Sequence, residues 1–295
     1  MKKISKRESV FILILCIWIS NTILGQDKSN KNTLTKNKMA TLISEQFNFA
    51  AQQYKVLSKN VPADVMPKTF DVKTNKVETR NTEWWCSGFY PGTLLYIYEN
   101  TKDAEIKTEA EKRLAILEKE KYFTGNHDIG FMMYCSFGNA YRLFGRPEDK
   151  TTINIAASSL ATRYRPNAKV IQSWESDDKN TCTVIIDNMM NLELLNWVSD
   201  NGGDSKYKEI AITHANTTLK NHFRPDYSSY HVLEYNLNTG EVIKKRTAQG
   251  AADSSAWARG QGWASTTQRS FNPCSTGTAS DATARRRRIP KARWT

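Results

Sequence analysis

The sequence predicts an all-α fold of stacked antiparallel helix hairpins with one small β-hairpin. Three observations predict it. Apolar residues recur at i, i+3/i+4 spacing in segment after segment between Lys38 and Leu219. Short turn signals separate those segments, and strand and helix do not alternate as a parallel sheet requires.

The first helix follows from Leu42, Ile43, Phe47, Phe49, Ala50, Ala51, Tyr54 and Leu57, whose spacing gives one apolar face. Residues 62–82 are polar and proline-bearing and read as a loop. Helices follow at Tyr90–Asn100, Ala104–Lys119, Ile129–Leu143, Thr151–Tyr164, Val184–Val198 and Lys206–Asn221. Gly145-Arg-Pro147 and Asn201-Gly-Gly-Asp204 supply turns between them. Ser229–Tyr235 alternates, and Asn238-Thr-Gly240 turns the chain into Glu241–Lys245, which predicts the hairpin.

Both ends differ from this middle. The basic stretch MKKISKR precedes an apolar run from Val10 to Ile19, and Gly25 offers a small residue for cleavage, so residues 1–25 read as a secretory signal. The run is too short for a comfortable membrane span, so no stable membrane anchor is expected and the location is exported, periplasmic. From Ala264 the helical period is lost and four arginines follow one another at Arg285–Arg288. Residues 264–295 therefore read as an aberrant, disordered basic tail, the mark of a truncation or a reading-frame error. Residues 26–263 form the expected partial catalytic domain.

Net charge is +12. Lys2, Lys3, Lys6 and Arg7 against Glu8 give +3, and six arginines and Lys291 against Asp281 give +6 in the tail, which leaves +3 for residues 26–263. The basicity belongs to the ends, so no nucleic-acid partner is expected, and a polyanion-binding arm at Arg285–Arg288 is the weaker alternative. Cys86, Cys135 and Cys182 are an odd number without metal-ligand spacing, which argues for small buried residues rather than a disulfide framework.

Residues that chemistry uses concentrate in a few segments: Glu83-Trp-Trp-Cys-Ser-Gly-Phe-Tyr-Pro-Gly92, His127-Asp-Ile-Gly-Phe131 and Ile185-Ile-Asp-Asn-Met-Met-Asn-Leu192. Asp128 and Asp187 each open a helical run, where helix capping competes with chemistry as the reason for an aspartate; Asn126 or Asn188 could cap instead. Tyr230-His231, Thr247-Ala-Gln-Gly250 and Trp257-Ala-Arg-Gly-Gln-Gly-Trp263 add polar and aromatic groups of the kind that line a carbohydrate cleft. A lone histidine on a strand and tryptophans six apart fit a plain core equally well.

Taken in order, W-C-S-G-F-Y-P-G, H-D-I-G-F, I-I-D-N-M-M-N-L-E-L-L, Y-H-V and W-A-R-G-Q-G-W resemble glycoside hydrolase family 88, the unsaturated glucuronyl hydrolases, from about Lys38 to Trp263. The unsaturated rhamnogalacturonyl hydrolases are a near alternative. The resemblance implies an (α/α)6 toroid, incomplete here because the family's chain continues past Trp263. It implies Asp187 as general acid/base and Asp128 as the second essential aspartate, with Trp85, His127, His231, Gln249, Arg259 and Trp263 lining the sugar site. The implied substrate is an unsaturated uronyl oligosaccharide left by polysaccharide lyases. No metal or organic cofactor is implied, and His127, His214, His222 and His231 lack ligand spacing. For Asp187 to donate a proton near neutral pH, repulsion from Asp128 and then desolvation are expected to raise its pKa. A catalytically dead sugar-binding fragment is the remaining alternative.

Overall fold

Joints of two to five residues, at 102–103, 145–146 and 201–205, fold helical segments back on one another. The computed structural model describes residues 35–271, so the expected signal segment and the tail beyond Phe271 lie outside the described residues. Helix α1 covers residues 35–59. Its Phe47, Ala50, Tyr54 and Leu57 pack on the core, whereas Leu42, Ile43 and Phe49 are exposed, so the apolar residues read as one face occupy two. Helices α2 (Phe89–Thr101) and α3 (Ala104–Leu117) pack as a hairpin. Lys102 takes the left-handed conformation (φ 58°) and returns its N–H to Tyr98, and the Asp103 side chain caps α3 by accepting from Glu105 and Ile106.

The expected helix over 129–143 forms in three pieces: α4 (Ile129–Met133), a π segment (Tyr134–Gly138) and α5 (Asn139–Phe144). Gly145 ends it at φ 66°, and Pro147 opens α6 (Pro147–Ala161) four residues earlier than periodicity indicated. Helices α7 (Leu192–Asp200) and α8 (Lys206–Asn221) also pack together, with Gly202 at φ 89° in their joint. The last helix, α9 (Ala258–Phe271), crosses the boundary expected at residue 264.

The fold is mostly helical, but the described residues include three small sheets where one hairpin was expected. Within the expected loop 62–82, β1 (Met66–Asp71) pairs with β2 (Lys76–Arg80); Asp71 accepts from Lys73 N–H and the Thr74 hydroxyl to build the turn. This hairpin is largely exposed and polar, so no apolar alternation announces it. A two-residue pair, β3 (Tyr164–Arg165) with β4 (Val170–Ile171), follows α6.

The third sheet corrects the helix expected at Val184–Val198. Thr181–Ile185 is strand β5, Ile186–Asn191 is a 3-10 turn, and α7 starts only at Leu192. Thr, Val and Ile favour the strand, and the apolar residues around Asp187, Asn188 and Asn191 also fit helical spacing, which hid the change of period. Strand β5 pairs antiparallel with β6 (Val232–Asn236), and β6 with β7 (Val242–Arg246), the latter pair being the expected hairpin.

The main core lies among the helices, from Leu94, Leu95, Leu114 and Leu117 to Ile153, Leu160, Leu192 and Leu195. A smaller core of Val170, Cys182, Val184, Leu233 and Tyr235 backs the three-stranded sheet. Cys182 is buried, Cys86 and Cys135 are half-buried, and all three are free thiols. No helix among the described residues is long and apolar enough to cross a membrane.

Candidate active site

Sheet register positions one half of the site. Ile185 on β5 stands opposite Val232 on β6, and Ile186 N–H donates to the His231 carbonyl at 2.9 Å. This brings Asp187, in the 3-10 turn after β5, to His231, just before β6: Asp187 Oδ2 lies 3.6 Å from His231 Nε2. The Gln249 N–H donates to His231 Nδ1 at 3.2 Å, so the neutral ring carries its proton on Nε2, facing the carboxyl. Burial lowers His231 to about 4, with Arg246 and Arg259 adding to the effect, so the ring is neutral near pH 7. At 3.6 Å the contact is too long for a hydrogen bond, and both Asp187 Oδ2 and His231 Nε2 are buried without another partner among the described residues.

Close helix approach positions the other half. Gly130 on α4 faces Asn191 of the 3-10 turn, where an added Cβ would lie 2.5 Å from the Asn191 Cβ. Asn191 Oδ1 accepts the Phe131 N–H at 2.9 Å and binds the two segments together. Asp128, the residue before α4, makes no side-chain capping bond; Asn126 Oδ1 instead accepts the Asp128 N–H at 2.8 Å. The 3-10 turn of Asp187 likewise has no side-chain cap, and Asn188 donates to the Ile171 carbonyl. Capping therefore does not account for either carboxylate. Asp128 Oδ1 meets His127 Nε2 at 3.1 Å, and His127 is buried.

Asp187 is raised to about 6. Burial is the largest cause; His127, whenever its ring is protonated, and Arg259 oppose it, and the charge of Asp128 adds to it. The order of causes expected from the sequence is thereby reversed, with desolvation ahead of like-charge repulsion. A carboxyl held near 6 can carry a proton close to neutral pH and can also return to the base form.

Aromatic rings and one guanidinium frame the carboxyls. Trp85 and Trp263 meet edge-on at 6.2 Å, and Trp257 lies 5.7 Å from Trp263 and 4.7 Å from His231. Arg259 stands over all three tryptophans, at 5.8 Å from Trp85, 4.5 Å from Trp257 and 5.2 Å from Trp263. One of its N–H groups reaches Gln249 Oε1 at 3.3 Å. Gly260 permits this placement, since its added Cβ would lie 2.7 Å from Ile186 beside Asp187. All eight residues singled out in the sequence thus belong to one connected locality.

Three further residues join them. Trp257 completes the aromatic frame. Trp174, on the loop between β4 and β5, is 40% exposed and meets the edge of His127 at 6.3 Å. Cys86, next to Trp85, feels the charges of Asp128 and Arg259, and burial pushes its thiol up to about 12. Trp257 had its spacing to Trp263 as a signal, whereas Trp174 is an isolated loop residue and had none. Among the described residues no group of three or more His, Cys, Asp or Glu side chains is arranged to hold a metal ion.

No family model matches the chain. An unsaturated glucuronyl hydrolase from Formosa agariphila is 38% identical over 242 residues, 80% of this chain and 60% of that protein. An unsaturated chondroitin disaccharide hydrolase from Streptococcus agalactiae is 35% identical over 187 residues, 62% of this chain and 47% of that protein. Among solved structures, an unsaturated glucuronyl hydrolase specific for heparin superposes with a TM-score of 0.71 at 35% identity, covering 77% of this chain and 62% of that one. The chain therefore spans about half to three-fifths of the length of these relatives. With the shared architecture and level of identity, the chain belongs to the family of the unsaturated glucuronyl hydrolases.

Proposed function

We propose that the protein removes an unsaturated glucuronyl residue from lyase-generated, glycosaminoglycan-type oligosaccharides by hydrating the C4–C5 double bond. The observation that carries this reading is a single carboxyl, Asp187, held near 6 by burial and facing a neutral imidazole N–H inside an aromatic and arginine-lined site. The relatives named for glucuronyl and chondroitin disaccharide hydrolysis support the substrate class. The helix hairpins are read as part of an (α/α)6 toroid, and the basic and apolar N-terminal segment as a signal for export to the periplasm.

The chemistry requires few groups. A uronate with a C4–C5 double bond beside its ring oxygen is an enol ether. Asp187 delivers its proton to C4, and positive charge develops at C5, shared with the ring oxygen. Water then adds at C5 while Asp187, now a carboxylate, takes the proton released. The resulting hemiketal opens and releases the neighbouring sugar. Two acids flanking an anomeric carbon are not required, so their separation does not report stereochemistry here. Arg259 offers a two-pronged donor to the substrate carboxylate, and Trp85 and Trp263 offer faces and edges to the rings.

The test is spectrophotometric. Purified chain is mixed with the lyase products of chondroitin, hyaluronan and heparin, and absorbance of the conjugated double bond is followed. Steady loss with at least one substrate is expected. Binding of these sugars with the double bond intact would overturn the reading in favour of a sugar-binding protein.

A further inference from the structure

Ser173 touches neither carboxyl, yet it is bonded to the segments that carry both. It is fully buried. Its carbonyl accepts the His127 N–H at 3.0 Å, its own N–H donates to the Thr183 carbonyl at 2.8 Å, and its Oγ accepts the Ile185 N–H at 2.9 Å. One residue therefore joins the loop of His127 and Asp128 to the strand that leads to Asp187. A single hydrogen is left to place, that of the hydroxyl, and the remaining neighbour of Oγ is His127 Nδ1 at 3.3 Å.

Donor and acceptor rules settle the direction. The Ile185 amide can only donate, so a lone pair of Oγ is taken and its O–H is left to point at Nδ1. A ring that accepts at Nδ1 carries its proton on Nε2, the atom 3.1 Å from Asp128 Oδ1. Were Nδ1 protonated instead, Oγ would accept twice and the hydroxyl hydrogen would be stranded without a partner in a fully buried place. In the neutral ring that arrangement would also aim the Nε2 lone pair at a carboxylate.

We propose that Ser173 is a positioning residue whose hydroxyl fixes the Nε2–H tautomer of His127, so that His127 donates to Asp128 Oδ1 and holds that carboxylate in place beside Asp187. His231 is fixed in the same tautomer by the Gln249 N–H, so both imidazoles present Nε2–H to a carboxyl. For its kinetic consequence this inference rests on the hydrolase reading; for the tautomer it does not.

The experiment is 15N NMR of the full chain with labelled histidine, where only four histidines contribute and His127→Gln identifies the signal of interest. The expected spectrum has a pyrrole-like Nε2 and a pyridine-like Nδ1 moved upfield by the hydrogen bond it accepts. In Ser173→Ala the Nδ1 signal is expected to lose that displacement or to become partly pyrrole-like, and kcat is expected to fall about 10–100-fold with KM nearly unchanged. A pyrrole-like Nδ1 in the unaltered chain, a free pyridine-like Nδ1 there, or His127 shifts unmoved by Ser173→Ala would each overturn the proposal. If Ser173→Ala fails to fold, the spectrum of the unaltered chain decides alone. Absence of turnover in the unaltered chain would count against the hydrolase reading and leave the tautomer result standing.

Discussion

Asp128 and Asp187 each face the Nε2 of a buried histidine, His127 at 3.1 Å and His231 at 3.6 Å, yet their surroundings differ. The Asp128 side chain is 19% accessible, at the entrance to a helix, and its histidine is within hydrogen-bond distance. That of Asp187 is 8% accessible, in a 3-10 turn between a strand and a helix, and one of its oxygens has no hydrogen-bond partner among the described residues. The identity of the neighbour is the same in both pairs, so it cannot distinguish their roles. Depth can: burial is the first cause of the raised Asp187 pKa, and the nearby negative charge only adds to it.

The largest expected effect tests that assignment at Asp187. Asp187→Asn should lower turnover of an unsaturated disaccharide by about 10²–10⁴-fold, the scale of general acid catalysis. The same change should make the protein more stable at pH 7. A carboxyl raised from 3.8 to about 6 by folding makes the folded state bind its proton more tightly. The stability it supports is therefore present below pH 3.8 and lost as pH rises through about 6. Relief of the buried charge is worth on the order of 2–3 kcal/mol at pH 7 and little at pH 3.5. Calorimetry at the two pH values reads it; equal melting shifts at both would show that Asp187 is not a strained acid.

Asp128→Asn separates burial from charge. Turnover in the unaltered chain should decline as pH rises through about 6, where Asp187 loses the proton it has to give. Removing the Asp128 charge should move that limb downward only part of the way toward 3.8, because desolvation remains. Turnover should fall about 10²-fold as well, with the substrate and water less well placed. A limb that drops fully into the ordinary carboxylate range would make repulsion, and not depth, the dominant cause.

Both halves of this comparison were legible in the sequence to different degrees. The helices were plain because a 3.6-residue period needs only local residues, and α2, α3 and α8 fall within a few residues of their expected limits. The strand leading to Asp187 was hidden because the apolar residues of Thr181–Ile185, the 3-10 turn and α7 together fit a helical spacing, and only pairing with β6 separates strand from helix. The β1–β2 hairpin was hidden for the opposite reason, having little to bury. Among site residues, the two aspartates came from the order of the motifs, and spacing alone left capping open. Ser173 and Trp174 could not be read at all: each acts through a contact with His127, 46 residues away in the case of Ser173, and nothing local marks them.

The smallest effect examines how the two halves are brought together. Gly130 lets α4 approach the 3-10 turn so closely that a methyl group there would lie 2.5 Å from the Asn191 Cβ and 2.6 Å from its Oδ1. Asn191 is fully buried and its oxygen already holds the Phe131 N–H, so it has little room to yield. Gly130→Ala should therefore cost about 1–3 kcal/mol, as overpacking of a dense interior does. Because the strain falls on the bond between the two segments, it should also lower turnover, by moving Asp128 relative to Asp187. Gly262 in α9 gives the contrast: its added Cβ meets nothing within 4 Å among the described residues, and Gly262→Ala should raise stability by about 0.5–1 kcal/mol through helix propensity. Thermal melts of the two variants read the difference in sign. If Gly130→Ala were as well tolerated as Gly262→Ala, the carboxyls would not depend on this close approach, and their juxtaposition would have to come from the sheet side alone.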